Sequence, residues 1–480
     1  MIPARLSRRS LFAAAAGLAA PGVPLAQSHT SPGPFRFKGW RGQEVEAERG
    51  FFEVPEDRRD PTSRRIRLSY VRFPSTAARP GPPIVYLAGG PGGTATGTFA
   101  GPRFPIAMAL REIADVIAFD QRGTGLSNHI PRRPAYAGPP PVLTREGLTA
   151  HMRAEFARAW AEWTAAGVAM RGYNTNESAD DVDDLRRHLR AERINLWGIS
   201  YGSHLGLAVL KRHGDRVDRV VLASLEGQDQ TVKRPARSDR YLERVDRLLD
   251  AAPEVRQAVP DLSALMRRVH ARLEADPQPI AVPRQAGPLE LRIGGFAVQL
   301  LAGGLVANPE TLAMLPRLYL ALDAGRIDAL APFAGQFAGG LSVSGMPEAM
   351  DLASGISPRK LAMVRREAET AVFGDALNFP MPHLSGAVGG VDLGEAFRRP
   401  IRIDHPSLLV AGSLDGRTVL EEQAEVAAQF RNRTQVLVEN AGHNVFEAHP
   451  EVQAMIVRFF RGERLSDARL ALPPPKFRIT

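Results

Sequence analysis

Six mainly apolar runs, each closed by a turn, constrain this chain more than any other feature of its sequence. They are Ile84–Ala88, Val116–Phe119, Ile194–Trp197, Val217–Leu225, Leu408–Ala411 and Val436–Val438. Runs without polar alternation suit strands buried on both faces, as in a mostly parallel sheet covered by helices. Helical stretches lie between them. From Ser178, the residues Ala179, Val182, Leu185 and Leu189 recur at three- and four-residue spacing. Ser178 is the expected N-cap, with Asp181 three residues on as in a capping box. Asp180, Asp181, Asp183 and Asp184 then fall early in the helix and Arg186, Arg187 and Arg190 late, which suits the helix dipole and leaves the four aspartates no need of a metal. Short β-rich patches at Gly50–Val54 and Ile66–Phe73 precede the first run, after a Ser/Pro/Gly-punctuated leader from 27 to about 45. Between 227 and 400 the pattern turns helical and rich in Arg, Ala and Leu, and the strand pattern returns only near Leu408. The chain therefore reads as an α/β domain, residues 45–226 and 401–465. A largely helical cap, 227–400, is inserted before the penultimate strand.

The first 26 residues read as a signal peptide. Arg5, Arg8 and Arg9 precede the apolar stretch Leu11–Ala20, Pro21 and Pro24 end it, and Ala26 offers a small residue for cleavage. Ser7-Arg8-Arg9-Ser10-Leu11-Phe12 resembles a twin-arginine signal, which implies export to the periplasm or medium. About ten apolar residues fall short of the roughly twenty that span a bilayer, so no stable membrane insertion is expected after cleavage. The net charge of +9 invites a nucleic-acid reading, but the positive charge is almost all arginine, spread along the chain and mixed with acids. No nucleic-acid partner is expected. The absence of cysteine excludes disulfides, thiolate catalysis and cysteine-ligated zinc.

Three motifs lie at the ends of predicted strands, where open α/β sheets keep their ligand sites. Gly198-Ile199-Ser200-Tyr201-Gly202 stands between a strand and a helix, the setting of a nucleophile elbow that exposes a serine hydroxyl. An unactivated serine is a poor nucleophile and needs a base and an orienting acid. Asp415 follows the penultimate strand and His443 the last, so the chain order is Ser200, Asp415, His443. Gly89-Gly90-Pro91-Gly92-Gly93, after Ile84–Ala88, lets the main chain approach a reacting carbonyl. Its oxyanion donors are expected from Gly90 and Tyr201. A dinucleotide fingerprint over Gly90–Ala95 is the rival reading, but Pro91 lacks an N–H where phosphate would want one. No cofactor and no metal are expected. His204, one turn beyond Ser200, reads as packing or local hydrogen bonding.

Gly89-Gly90-Pro91-Gly92, Asp120-Gln121-Arg122-Gly123-Thr124-Gly125-Leu126-Ser127, Gly-x-Ser-Tyr-Gly and the stretch Tyr173–Arg186 resemble the proline iminopeptidase/tripeptidyl aminopeptidase family of α/β-hydrolases. The resemblance covers roughly 45–226 and 400–465. It implies an α/β-hydrolase fold and a serine peptidase that takes short peptides with a free N-terminus beneath a helical cap. Asp120 and Arg122 are then expected to organise the loop beside the site. Two features depart from relatives: no convincing local pattern of cap glutamates to hold the substrate amine, and Gly416-Arg417-Thr418 after Asp415 in place of a proline turn.

The substrate class stays open between a small peptide and a small ester, because the same triad cleaves both. An exported binding protein that keeps the fold without catalysis is the reading from another class. Acids facing Ser200 would favour amine recognition, and a purely apolar tunnel would favour esters. Glu226, just past the Val217–Leu225 run where the chain leaves for the cap, is the sequence's candidate for binding a substrate ammonium.

Overall fold

The computed structural model describes residues 32–229, 232–284 and 287–479, so the expected signal segment lies outside the described residues. Its strands are β1 (Gly33–Lys38), β2 (Glu44–Pro55), β3 (Arg65–Phe73), β4 (Gly81–Leu87), β5 (Ala114–Asp120), β6 (Val142–Leu143), β7 (Ile194–Ile199), β8 (Val217–Ala223), β9 (Gln278–Val282), β10 (Leu289–Ile293), β11 (Ser407–Gly412), β12 (Arg433–Glu439) and β13 (Ala468–Ala471). Ten of them form one sheet in the order β1-β2-β3-β5-β4-β7-β8-β11-β12-β13. The first three and the β3–β5 pair are antiparallel; from β5 onward every pairing is parallel. The fold is an α/β-hydrolase fold, a mostly parallel sheet flanked by helices.

Alternate residues of the central strands enter two different cores. Tyr86, Trp197, Ile199, Val221, Val410 and Val438 join the core on one face, where Trp197 packs against Tyr86, Phe99 and Phe446. Val85, Leu87, Leu196, Val220, Leu222 and Leu409 join the core on the other face, which continues without a break into the helices of the insertion. Apolar side chains pointing both ways are why these strands read as uninterrupted runs.

Four local expectations are revised. Residues 33–38 are not leader but edge strand β1, paired with Lys38 opposite Glu44; its half-exposed alternation is too short to stand out in sequence. The helix expected from Ser178 starts at Thr175, because Asn174 caps it by accepting the Glu177 N–H at 3.0 Å. The four aspartates therefore sit past its first turn, where each binds arginine: Asp180 with Arg212, Asp181 with Arg58 and Arg122, Asp183 with Arg186, Asp184 with Arg58. The helical insertion also carries a hairpin, β9–β10, whose second strand pairs with β6, so a segment before Ser200 joins the insertion's own small sheet. Finally, β13 extends the main sheet beyond residue 465.

Candidate active site

Strand register brings the functional loops to one edge of the sheet. Ile199 of β7 lies opposite Ala223 of β8, Ala223 opposite Val410 of β11, and Gly412 opposite Val438 of β12. Ser200 turns from β7 into the helix Tyr201–His213 with φ 56° and ψ −127°, a strained conformation for a residue with a Cβ. The close approach of this helix to the sheet requires the motif's glycines. A Cβ on Gly202 would stand 2.0 Å from the Leu87 carbonyl oxygen, and one on Gly198 would stand 2.7 Å from the Gly202 carbonyl oxygen. The glycine loop after β4 lies against the serine, with the Cβ position of Gly89 3.2 Å from Ser200 Cβ. Gly90 adopts φ +126°, where a side chain would also run into the Gly92 and Gly93 amides. Among the described residues neither the Gly90 nor the Tyr201 N–H donates a hydrogen bond.

His443 and Asp415 meet directly. His443 Nδ1 lies 2.9 and 3.0 Å from the two carboxylate oxygens of Asp415, which leaves Nε2 as the outward nitrogen. Asp415 is buried and also accepts from the Thr418 hydroxyl at 2.6 Å and from the amides of Arg417 and Thr418 at 2.9 Å. Burial alone would raise its pKa, but the His443 ring and the Thr418 donors outweigh it and hold the carboxyl below its ordinary range. Ser224 links the strand ends, its N–H to the Val410 carbonyl at 3.1 Å and its hydroxyl to the His443 carbonyl at 2.9 Å. No hydrogen bond joins Ser200 Oγ to the His443 ring, a looseness common in catalytic pairs before substrate binds. The insertion braces these loops from above: His443 N–H donates to Ala307 O at 2.7 Å, Gly416 N–H to Val306 O at 3.1 Å, and Asn444 N–H to Asn308 Oδ1 at 3.2 Å.

Acids collect beside this constellation. Glu226 is buried, its carboxylate is ion-paired with Lys233, and it feels the charge of His443. Burial pushes its pKa up, but Lys233, His204 and His443 bring the balance below the ordinary value. Across from it runs the insertion helix Met346–Ser354, which packs along its length against the glycine loop, the loop after β5 and Tyr201. Pro347 lies on Gly92, Met346 on Gly123, and Met350 Sδ lies 3.3 Å from the Tyr201 hydroxyl. Glu348 on this helix accepts the Ser344 and Gly345 amides at 3.1 and 2.8 Å. Asp351 interacts electrostatically with Glu226, Lys233 and Arg417, yet its carboxylate has no hydrogen bond or ion pair among the described residues. Burial, with Glu226 adding repulsion, pushes its pKa up to about 8. Sequence reasoning missed Asp351, since it lies in no motif and is brought here only by the packing of its helix.

A profile of the alpha/beta hydrolase fold matches residues 82–450. The chain belongs to the alpha/beta hydrolase family. The tripeptidyl aminopeptidase of Streptomyces coelicolor is 30% identical over 194 residues, 37% of this chain and 34% of that protein. The serine protease Hip1 of Mycobacterium tuberculosis is 28% identical over 191 residues, 36% of this chain and 35% of its own. This chain thus matches about a third of the length of these curated relatives. Among solved structures, a serine hydrolase of Cycloclasticus zankles aligns over 86% of this chain and 98% of its own, at 15% identity and a TM-score of 0.40. An esterase from Thermogutta terrifontis aligns over the same shares at 17% identity and a TM-score of 0.35.

In this alpha/beta hydrolase the loop after β5 fastens the glycine loop to the rest of the molecule. Asp120, buried, accepts from the Thr96 hydroxyl at 2.6 Å, the Thr96 amide at 3.1 Å and the Leu126 amide at 2.9 Å. Burial keeps its pKa above the ordinary range despite these donors. Gln121 donates to Ala88 O at 3.2 Å. Arg122, fully buried, holds Asp181 with two bonds of 2.7 Å and also donates to the carbonyls of Glu56 and Gly172. The Asp-Gln-Arg string therefore ties three segments together behind the glycine loop.

Proposed function

We propose that the chain is a serine hydrolase of the aminopeptidase type, exported to the periplasm or medium, that removes N-terminal residues from short peptides. Ser200 Oγ attacks the scissile carbonyl, and His443 Nε2 takes the hydroxyl proton. Asp415 holds the imidazole in the tautomer with Nδ1 protonated. The Gly90 and Tyr201 amides, which have no acceptor among the described residues, donate to the oxyanion as the tetrahedral intermediate forms. His443 returns the proton to the leaving amine, and water then hydrolyses the acyl-enzyme by the same route. The observation that carries the peptidase reading over the ester reading is Asp351. A half-buried carboxylate with no hydrogen bond or ion pair among the described residues, near Glu226 and Tyr201, suits a substrate ammonium and serves no purpose for a neutral ester.

The test joins active-site labelling with a substrate panel. A fluorophosphonate probe should label the wild type and fail to label Ser200→Ala. Peptidyl amides with a free N-terminus should be cleaved with higher kcat/KM than their N-acetylated counterparts and than simple acyl esters. Labelling that survives Ser200→Ala would overturn the nucleophile. Equal or better turnover of acyl esters would overturn the peptidase reading in favour of a carboxylesterase.

A further inference from the structure

His204 lies one turn beyond Ser200 on the same helix, completely buried, and the chemical steps above do not use it. Its two ring nitrogens reach different segments. Nδ1 lies 3.2 Å from the Gly227 carbonyl oxygen, and Nε2 lies 3.0 Å from Ser354 Oγ. A carbonyl can only accept, so Nδ1 carries the proton, and Nε2 presents a lone pair to the Ser354 hydroxyl. Burial pushes the ring's pKa down, in keeping with a neutral imidazole whose tautomer its partners fix. The ring stacks on Tyr201 with centroids 5.4 Å apart and meets the edge of Phe397 at 5.5 Å. One side chain thus joins the nucleophile helix, the segment carrying Glu226, and the end of the helix carrying Asp351.

The geometry around Ser354 extends the link. Its hydroxyl also lies 3.3 Å from Thr175 Oγ1, which is 3.1 Å from the Tyr201 hydroxyl, and its carbonyl accepts Arg398 at 3.0 Å. Ser354 follows Asp351 by three residues, about 4.5 Å along a helix axis and on a neighbouring face. The far end of that helix is wedged by Met346 and Pro347 against Gly123 and Gly92. The His204–Ser354 bond therefore secures the end nearest Asp351.

We propose that His204, through Ser354, is a positioning residue that sets where the Asp351 carboxylate stands relative to Ser200, and so governs the binding of free-amine substrates without taking part in the chemistry. This rests on the aminopeptidase reading. The test uses Ser354→Ala, which removes only a hydroxyl, Ser354→Thr, which retains one, and His204→Gln. Steady-state kinetics would be measured on a peptidyl amide with a free N-terminus and on its N-acetylated counterpart, alongside fluorophosphonate labelling rates. In Ser354→Ala and His204→Gln, KM for the free-amine substrate should rise about tenfold with kcat nearly unchanged. Turnover of the acetylated substrate and the labelling rate should stay within about twofold, and Ser354→Thr should restore most of the loss. Equal losses on both substrates, or a free-amine preference that survives both variants, would overturn the positioning role while the aminopeptidase reading stands. A wild type that labels but shows no free-amine preference would overturn both.

Discussion

Replacing Asp351 by asparagine keeps the shape of the side chain and removes its capacity to ionise. Two unit charges 4 Å apart attract by about 4 kcal/mol at an effective dielectric constant near 20, and much of that is offset by stripping water from the ammonium. A charge-assisted hydrogen bond in such a cleft contributes about 1.5–3 kcal/mol net, or roughly 10- to 150-fold in kcat/KM for a free-amine substrate. Lys233 already engages Glu226, but a carboxyl with a pKa of about 8 must give up its proton to pair with the ammonium, so at pH 7 the loss in Asp351→Asn should lie toward the lower part of that range and grow as the pH is raised through 8. The N-acetylated substrate should change by less than about twofold, because it carries no charge to recognise. The same substitution has a second signature, in stability. Burial raises the Asp351 pKa from 3.8 to about 8, so the folded state holds this proton more tightly than the unfolded state. Stability is then full below about pH 4 and declines as pH rises toward 8, whereas the asparagine variant carries no such titration. The melting temperature of Asp351→Asn should therefore approach that of the wild type at pH 4 and exceed it by a widening margin up to about pH 8. Paired kinetics on the two substrates and thermal melts across that range would check both parts. A uniform loss on both substrates together with a pH-independent difference in melting temperature would refute the reasoning.

Asp415→Asn should lower kcat by about 10⁴-fold, and combining it with Ser200→Ala should add little, because the members of a triad act as a unit; strictly additive losses in steady-state turnover would place one of them elsewhere. Gly202→Ala forces a Cβ to 2.0 Å from the Leu87 carbonyl oxygen, so it should cost about 3 kcal/mol or more, read as a lower denaturation midpoint with loss of turnover. The Tyr241 hydroxyl lies 3.1 and 3.2 Å from the Val306 and Leu414 carbonyls, beside the Asp415 loop. Tyr241→Phe should destabilise by about 1–3 kcal/mol in denaturant melts and lower kcat more than it changes KM. An unchanged denaturation midpoint would argue against that brace.

The central strands β4, β5, β7, β8 and β11 were legible because each is buried on both faces, which favours a mainly apolar run whatever the rest of the chain does. Edge strand β1 was not, since one of its sides is exposed and its six residues show only a partial alternation. Likewise Ser178 met the local rules for a cap, but Asn174 took the role, and Asp180, Asp181 and Asp184, which seemed to serve the helix dipole, are used by arginines distant in sequence.

The chemistry-bearing loops follow the same division. Ser200, Gly90, Asp415 and His443 stand within four residues after strands, and a parallel sheet sends the ends of its strands to one edge, so chain order and motif alone were enough to place them at that edge. The contact between His443 and Asp415 at 2.9 Å follows from β11 and β12 being neighbours in register. Asp351, Lys233, Ser354 and Ala307 follow no strand and share no spacing with the nucleophile. They reach the site because the insertion folds back over it, a contact made by long-range packing that leaves no periodic trace in the chain. The sequence by itself therefore determined which residues stand at the ends of the central strands, through local turn geometry and strand burial. Only the tertiary structure decided which acid lacks a hydrogen bond or ion pair among the described residues, because Asp351 meets the local Glu226–Lys233 pair only when segments more than a hundred residues apart pack together.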